Sequence, residues 1–185
     1  LHELITCDVI IGCVDSVDGR HLVSQLTNFY LIPYFDVGVR LDADGKGGII
    51  NIIASVHYIQ PACSTLLSRG LYTEKRLFDD GLLRQDPEEF AKREKVGYVQ
   101  NANVDRPAVI SINMQISSMA VIELLNRLHQ FKEDAPTNYA KVMMDYCDGC
   151  IENVSEEKFT QDVGSEKWAG RGDCKPFLRM SELSL

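Results

Sequence analysis

No stretch of this sequence approaches the roughly 20 consecutive apolar residues that a helix needs to cross a bilayer, so none reads as a membrane span. Basic residues are scarce: 19 Lys and Arg stand against 27 Asp and Glu, a formal net charge of −8. With no basic patch or stripe, nucleic acid is not expected as a main partner, because phosphate backbones are held chiefly by cationic side chains. No secretory leader is expected either, since Glu3 and Asp8 interrupt the first apolar stretch. The cysteines (Cys7, Cys13, Cys63, Cys147, Cys150 and Cys174) lack the spacing of a secreted disulfide framework, so reduced thiols and a cytoplasmic location are expected. The chain opens on Leu1 and runs almost at once into a strand pattern, which leads to the expectation that the natural start lies elsewhere. What is present has the balance of one globular domain: 185 residues, 45% hydrophobic and 25% charged, enough to bury a single core.

Residues 8–14 (DVIIGCV) are a short apolar run that stops at Asp15. Too short for a helix and rich in β-branched side chains, the run predicts a strand buried on both faces, central in a parallel sheet. Helical spacing follows over 17–30, with Val17, Leu22, Leu26 and Tyr30 as core positions and Ser16 or Asp18 as the cap. Pro33 opens a second strand from Tyr34 to Val39, completing a right-handed βαβ unit. A Gly- and Asp-rich turn over 42–48 leads into a β-branched run at 49–59, which predicts an antiparallel partner. From Pro61 to Asp105 no period holds, although 74–83 and 87–95 have helical pieces; such stretches tend to be functional, mobile or a partner surface. The strongest helical pattern spans 109–131, where Ile112, Ile116, Ala120, Leu124 and Leu128 recur in steps of four beside Met119 and Leu125. Residues 139–146 and 150–154 predict a hairpin around Asp148-Gly149, a dipeptide suited to a type I′ turn, and the tail from Ser155 is polar.

Ligands in open α/β sheets bind beyond the carboxyl ends of the parallel strands, and Asp15 occupies that position. A carboxylate there could hold Mg²⁺ beside a nucleotide phosphate, or could cap the following helix; position alone leaves both readings open.

Residues 12–20 (GCVDSVDGR), with the following segment ending IPYFDVGV, resemble the C-[TV]-D-N-x-x-x-R segment, helix and Pro-led strand of the ThiF/MoeB/HesA superfamily. Cys13, Asp15 and Arg20 fall on that pattern, while Ser16 stands where the family has Asn. Residues 47–63, 97–131 and 170–178 are similar to later family segments, so the likeness covers nearly the whole chain. It implies an α/β, Rossmann-like ThiF-type fold, partial, with parallel strands followed by antiparallel strands and a long packed helix. It also implies one domain over 1–185, with a crossover-loop region at 64–106 and a C-terminal tail at 155–185. The implied activity is ATP- and Mg²⁺-dependent adenylation of the C-terminus of a ubiquitin-like or sulfur-carrier protein by a homodimer. Asp15 takes the catalytic role, Asp15 and Ser16 contact the cofactor, and Arg20 is structural.

The resemblance also brings gaps. The family's opening strand, its G-x-G-x-x-G-type loop and the Arg and Lys that contact ATP phosphates have no counterpart here. Gly45-Lys46-Gly47-Gly48 does not substitute, because it leads into no helix whose N-terminus could take phosphate. The chain alone is therefore expected to be inactive. Relatives with structural zinc use two Cys-x-x-Cys pairs, whereas here Leu66 replaces the second cysteine of the first pair and 155–169 contains none. Zinc is not expected; the candidate ligands are Cys63, Cys147, Cys150 and Cys174, with His57 an alternative to Cys174. Cys63 is the one candidate for a thiol at the crossover loop. Two rival readings are a non-catalytic interaction module that keeps the fold, and a Rossmann-type oxidoreductase. The missing Gly-rich fingerprint and the antiparallel second half argue against the oxidoreductase.

Overall fold

The computed structural model describes residues 3–44, 46, 48–95 and 110–172; Cys174 and parts of the similar segments at 97–131 and 170–178 lie outside the described residues. One sheet runs in the order β1 (Ile10–Gly12), β2 (Tyr34–Ala43), β3 (Ile49–Ile59), β4 (Lys141–Asp145), β5 (Cys150–Val154). The first pair is parallel and connected through helix α1 (Val17–Phe29); every later pair is antiparallel. Helices α2 (Glu74–Gln85) and α3 (Pro87–Lys95) follow β3, then α4 (Ile110–His129) precedes β4 and a short α5 (Val163–Trp168) comes last. This is the α/β order expected from the sequence, parallel strands first, then antiparallel strands and a long packed helix.

Strand alternation divides the core. Tyr34 and Phe35 are adjacent and both fully buried, yet they belong to separate clusters because successive side chains leave a strand on opposite faces. On one face Tyr34 packs with Ile10, Ile59, Leu66 and Tyr72 beneath Leu26 and Phe29 of α1. On the other, Phe35, Val37, Ala54 and Val56 meet Ile112, Ile116 and Ala120 of α4. Helix α1 ends where Leu31 turns left-handed (φ 59°): Ile32 N–H donates to Thr27 O and Leu31 N–H to Asn28 O, a Schellman closure that delivers the chain to Pro33 and β2.

Four sequence expectations are corrected. Strand β1 is neither central nor buried on both faces: among the described residues it is the sheet's edge, and Ile11 is 41% exposed. Leu22 points outward, so the buried side of α1 is set by Leu26 and Phe29. In α4 the stripe does not continue through Leu128, which is exposed, while Glu123 and Asn126 are buried. Steps of four advance about 40° each on a helix of 3.6 residues per turn, so the sheet-facing line soon needs a step of three. The hairpin loop holds four residues, 146–149, rather than a two-residue type I′ turn. Asp145 accepts hydrogen bonds from the Cys147 and Asp148 amides, and Gly149 takes the positive φ of 67° that closes it. Among the described residues no helix is long and apolar enough to cross a membrane.

Candidate functional site

Where β1 ends, Cys13, Val14, Asp15 and Ser16 form the turn into α1. Ser16 is the N-cap: its hydroxyl accepts a hydrogen bond from Gly19 N–H at 3.2 Å, and Asp18 Oδ1 accepts from the same amide at 2.8 Å. Asp15 takes no part in the cap. Its side chain is exposed, with no hydrogen bond or ion pair among the described residues, so both carboxylate oxygens remain available. Of the two roles open to Asp15, the structure assigns capping to its neighbours.

Directly behind this turn is a buried polar group that sequence reasoning missed. Arg20, in the first turns of α1, donates from Nε to Val14 O at 2.8 Å and from Nη2 to Val37 O at 3.4 Å. The same Nε lies 3.4 Å from Asp36 Oδ1 on β2, and Tyr34 Oη donates to that oxygen at 2.8 Å. Burial pushes the Asp36 carboxyl above its ordinary range, against the opposing pull of Arg20 and the Tyr34 hydrogen bond. Burial, and next the Asp36 charge, raise the Tyr34 phenol in turn. A Cβ on Gly38 would collide with Arg20 Nη2, so that glycine leaves the space the guanidinium occupies. The expected structural role of Arg20 is what these contacts describe. The available sequence signal was a lone carboxylate in the apolar run YFDVGV with glycine two places on.

Register extends this polar row across the sheet: Asp36 faces His57 of β3, and His57 faces Lys141 of β4. His57 is buried, with Nδ1 lacking a partner among the described residues; burial, then the positive charges of Arg69, Lys141 and Arg20, hold its imidazole well below the ordinary range. Farther along the α1 face, His21 Nδ1 lies 3.1 Å from Tyr72 Oη, and Gln25 Nε2 sits 2.7 Å from His21 Nε2.

The tail after β5 is tied down through Arg69, whose side chain is completely buried. Its guanidinium donates to Ser64 Oγ, Ala140 O and Tyr58 O, each at 2.8 Å, and pairs with Glu156 at 2.7 Å. Glu156 also accepts from the Ser64 amide and hydroxyl, and Thr65 Oγ1 donates to Asp162 at 2.7 Å. The segment after β5 thus clasps the loop that follows β3. On the α4 face a second buried cluster joins Glu123 to Arg127 and Lys132, with the Arg127 guanidinium over the Tyr58 ring.

The zinc candidates do not converge. Cys63 follows the carboxyl end of β3, whereas the hairpin holding Cys147 and Cys150 lies at the other end, with Cys147 Sγ donating to Ile50 O at 3.7 Å. Eleven residues of strand separate the two ends, on the order of 30 Å, too far for one ion. Among the described residues no group of three or more His, Cys, Asp and Glu is placed to hold a metal, and Cys174 lies outside them. Cys63 lies near Glu156 and Arg69; burial, then the Glu156 charge, raises its thiol above the ordinary range, which disfavours a nucleophilic thiolate.

Solved structures place this geometry among known folds. The microcin C7 biosynthetic enzyme MccB in complex with N-formylated MccA matches with a TM-score of 0.56 at 12% identity, covering 88% of this chain and 42% of that one. E. coli MccB with ATP matches at TM-score 0.54 and 11% identity, and with AMPCPP and selenomethionine MccA at 0.55 and 12%; each covers 88% of this chain and 40% of the other. The fold is of the ThiF type. No family model matches the sequence. No curated protein matches it either. The chain spans about two-fifths of the length of these MccB structures. In the ThiF-type frame, Asp15 stands at the carboxyl end of the one parallel strand pair among the described residues, where the sheet turns antiparallel.

Proposed function

We propose that this chain contributes to an ATP-dependent adenylyltransferase that activates the C-terminal carboxylate of a ubiquitin-like, sulfur-carrier or other small protein or peptide partner. The observation that carries this reading is Asp15, an exposed carboxylate without a partner among the described residues, at the carboxyl end of a parallel strand in a ThiF-type fold. MccB, with the same fold, has been solved with ATP and with MccA. In the reaction a carboxylate oxygen of the partner attacks the α-phosphorus of ATP, the bond to pyrophosphate breaks, and an acyl-adenylate forms. Asp15 fits Mg²⁺, a cation that takes one or two carboxylates and fills its remaining positions with water and phosphate oxygens. When bound, the ion supplies positive charge against the phosphates. Ser16 is the second cofactor contact in this reading; its hydroxyl accepts from Gly19 N–H and retains its own proton to donate. Residues 64–106 serve as the crossover region over the partner's tail, with 155–185 as the C-terminal tail of a single domain spanning 1–185. The outward apolar side chains of α4, Ile110, Met114 and Leu128, suit a homodimer contact, and the working location is the cytoplasm.

The chain alone is inactive in this reading. Among the described residues, Arg20 behind the Asp15 turn is engaged with Asp36 and backbone carbonyls and Arg84 with Asp18, so these cations do not supply the donors that a triphosphate needs. The same observation favours the second reading, a partner-binding module without nucleotide. Pyrophosphate exchange in the complete natural polypeptide, in its Asp15→Ala variant and in this chain separates the two. Exchange by the complete polypeptide, lost about a hundredfold on Asp15→Ala and absent from the chain, supports adenylation. Full activity in the variant refutes the role of Asp15, and no exchange in the complete polypeptide with its partner supports the module.

A further inference from the structure

We propose that Tyr34, Asp36 and Arg20 form a buried strut that fixes the Val14–Asp15 peptide, making Asp36 a positioning residue for the Asp15 carboxylate. The role of Asp15 itself rests on the adenylation reading, but the strut stands on contacts alone. Asp36 is 1% exposed within the buried stretch Tyr34–Val37 of β2, where an ionised group is costly unless it is hydrogen-bonded or paired. Both contacts fall on Oδ1. Tyr34 Oη donates to Oδ1 at 2.8 Å, and that oxygen lies 3.4 Å from Arg20 Nε. The Nε–H of Arg20 is given to Val14 O at 2.8 Å, so the chain of contacts runs from the interior of β2 to the turn that carries Asp15.

The turn is held at two points on either side of Asp15. A peptide unit is planar, so fixing Val14 O also fixes the Asp15 amide and the entry to its Cα. On the other side Ser16 is fixed as the N-cap, in extended backbone at φ −90° and ψ 141°. Between these anchors the Asp15 side chain stays uncommitted and exposed. Two glycines make the strut possible. Gly12 lies in register with Asp36 and leaves room for the Tyr34 hydroxyl, which a Cβ would approach to 2.6 Å; Gly38 leaves room for the Arg20 guanidinium. A purely stabilising ion pair would not need its cation to reach a carbonyl next to the site carboxylate.

The test uses the complete natural polypeptide carrying Asp36→Asn, Gly38→Ala or Arg20→Ala. Asp36→Asn keeps the shape and removes the charge that orients Arg20, while Gly38→Ala displaces the guanidinium tip without touching Asp36. Two measurements are made: pyrophosphate exchange, and amide hydrogen exchange of peptides covering 13–17. The expected result is a kcat about tenfold lower in Asp36→Asn and Gly38→Ala, with KM for ATP within about twofold of the parent. Amide exchange over 14–16 quickens in all three, and added guanidinium restores part of the lost kcat in Arg20→Ala. Unchanged amide exchange over 14–16 in folded Asp36→Asn and Gly38→Ala overturns the strut. If Asp15→Ala retains full activity, the adenylation role fails, and the strut is then decided by amide exchange alone. Should Asp36→Asn not fold, Gly38→Ala carries the decision with the same criteria.

Discussion

Glu156→Ala is the sharpest probe of how this fold is held together. The carboxylate closes three contacts: Arg69 Nη2 at 2.7 Å, the Ser64 amide at 3.0 Å and the Ser64 hydroxyl. Its removal leaves the Arg69 guanidinium, which has no solvent exposure, with two carbonyls, one hydroxyl and the Phe159 ring 4.5 Å away. Breaking a buried ion pair from one side costs about 3–5 kcal/mol, because the remaining charge loses its compensation. Glu156 is one-quarter exposed, so water reaches part of the gap and the lower end, about 3 kcal/mol, is expected. Urea unfolding followed by circular dichroism, with the slope checked for two-state behaviour, measures the change. The companion variant Arg69→Met/Glu156→Ala removes both charges and is expected to recover at least about 1 kcal/mol relative to Glu156→Ala. A Glu156→Ala protein within about 0.5 kcal/mol of the parent, the range of ordinary surface changes, would refute the claim that the clasp is structural.

Burial and cationic neighbours place His57 below its ordinary pKa in the folded chain, whereas the unfolded chain titrates near 6.5. Above that pH neither state binds the proton and His57 contributes no pH dependence. Below it the unfolded state gains the proton first, so stability falls by up to about 1.4 kcal/mol per pH unit until the folded pKa is reached. Urea midpoints at several pH values between 5 and 7.5 should therefore fall more steeply on acidification in the parent than in His57→Gln; parallel curves contradict the assignment. Gly12→Ala drives a methyl group to within 2.6 Å of the Tyr34 hydroxyl and 2.7 Å of its ring, against a residue with no exposed surface. The expected cost is about 1–3 kcal/mol by thermal or urea unfolding, and a variant as stable as the parent shows that the Tyr34 pocket can relax.

Local chemistry made much of this protein legible in its sequence. The apolar run before Asp15, the helix after Ser16 and the proline that opens β2 each follow from short-range preferences, and the structure has all three. The bounds of β3 at Ile49–Ile59 and the start of α3 at Pro87 also match, because turn residues and a proline mark them. Strand alternation placed the hydrophobic residues of β2, but it did not say which face would receive α1 and which α4. The register Gly12, Asp36, His57, Lys141 was likewise decided only when four strands met, since no segment by itself says which residue of another strand it will face. The same holds for Arg69 and Glu156, separated by 87 residues, and for Cys63 and the Cys147–Cys150 pair, which the length of β3 keeps apart. Periodicity and capping act over a few residues and can be read from neighbours in sequence. Desolvation of a charge, and the partner that compensates it, depend on which distant segments exclude water together, and that is determined only by the packed fold.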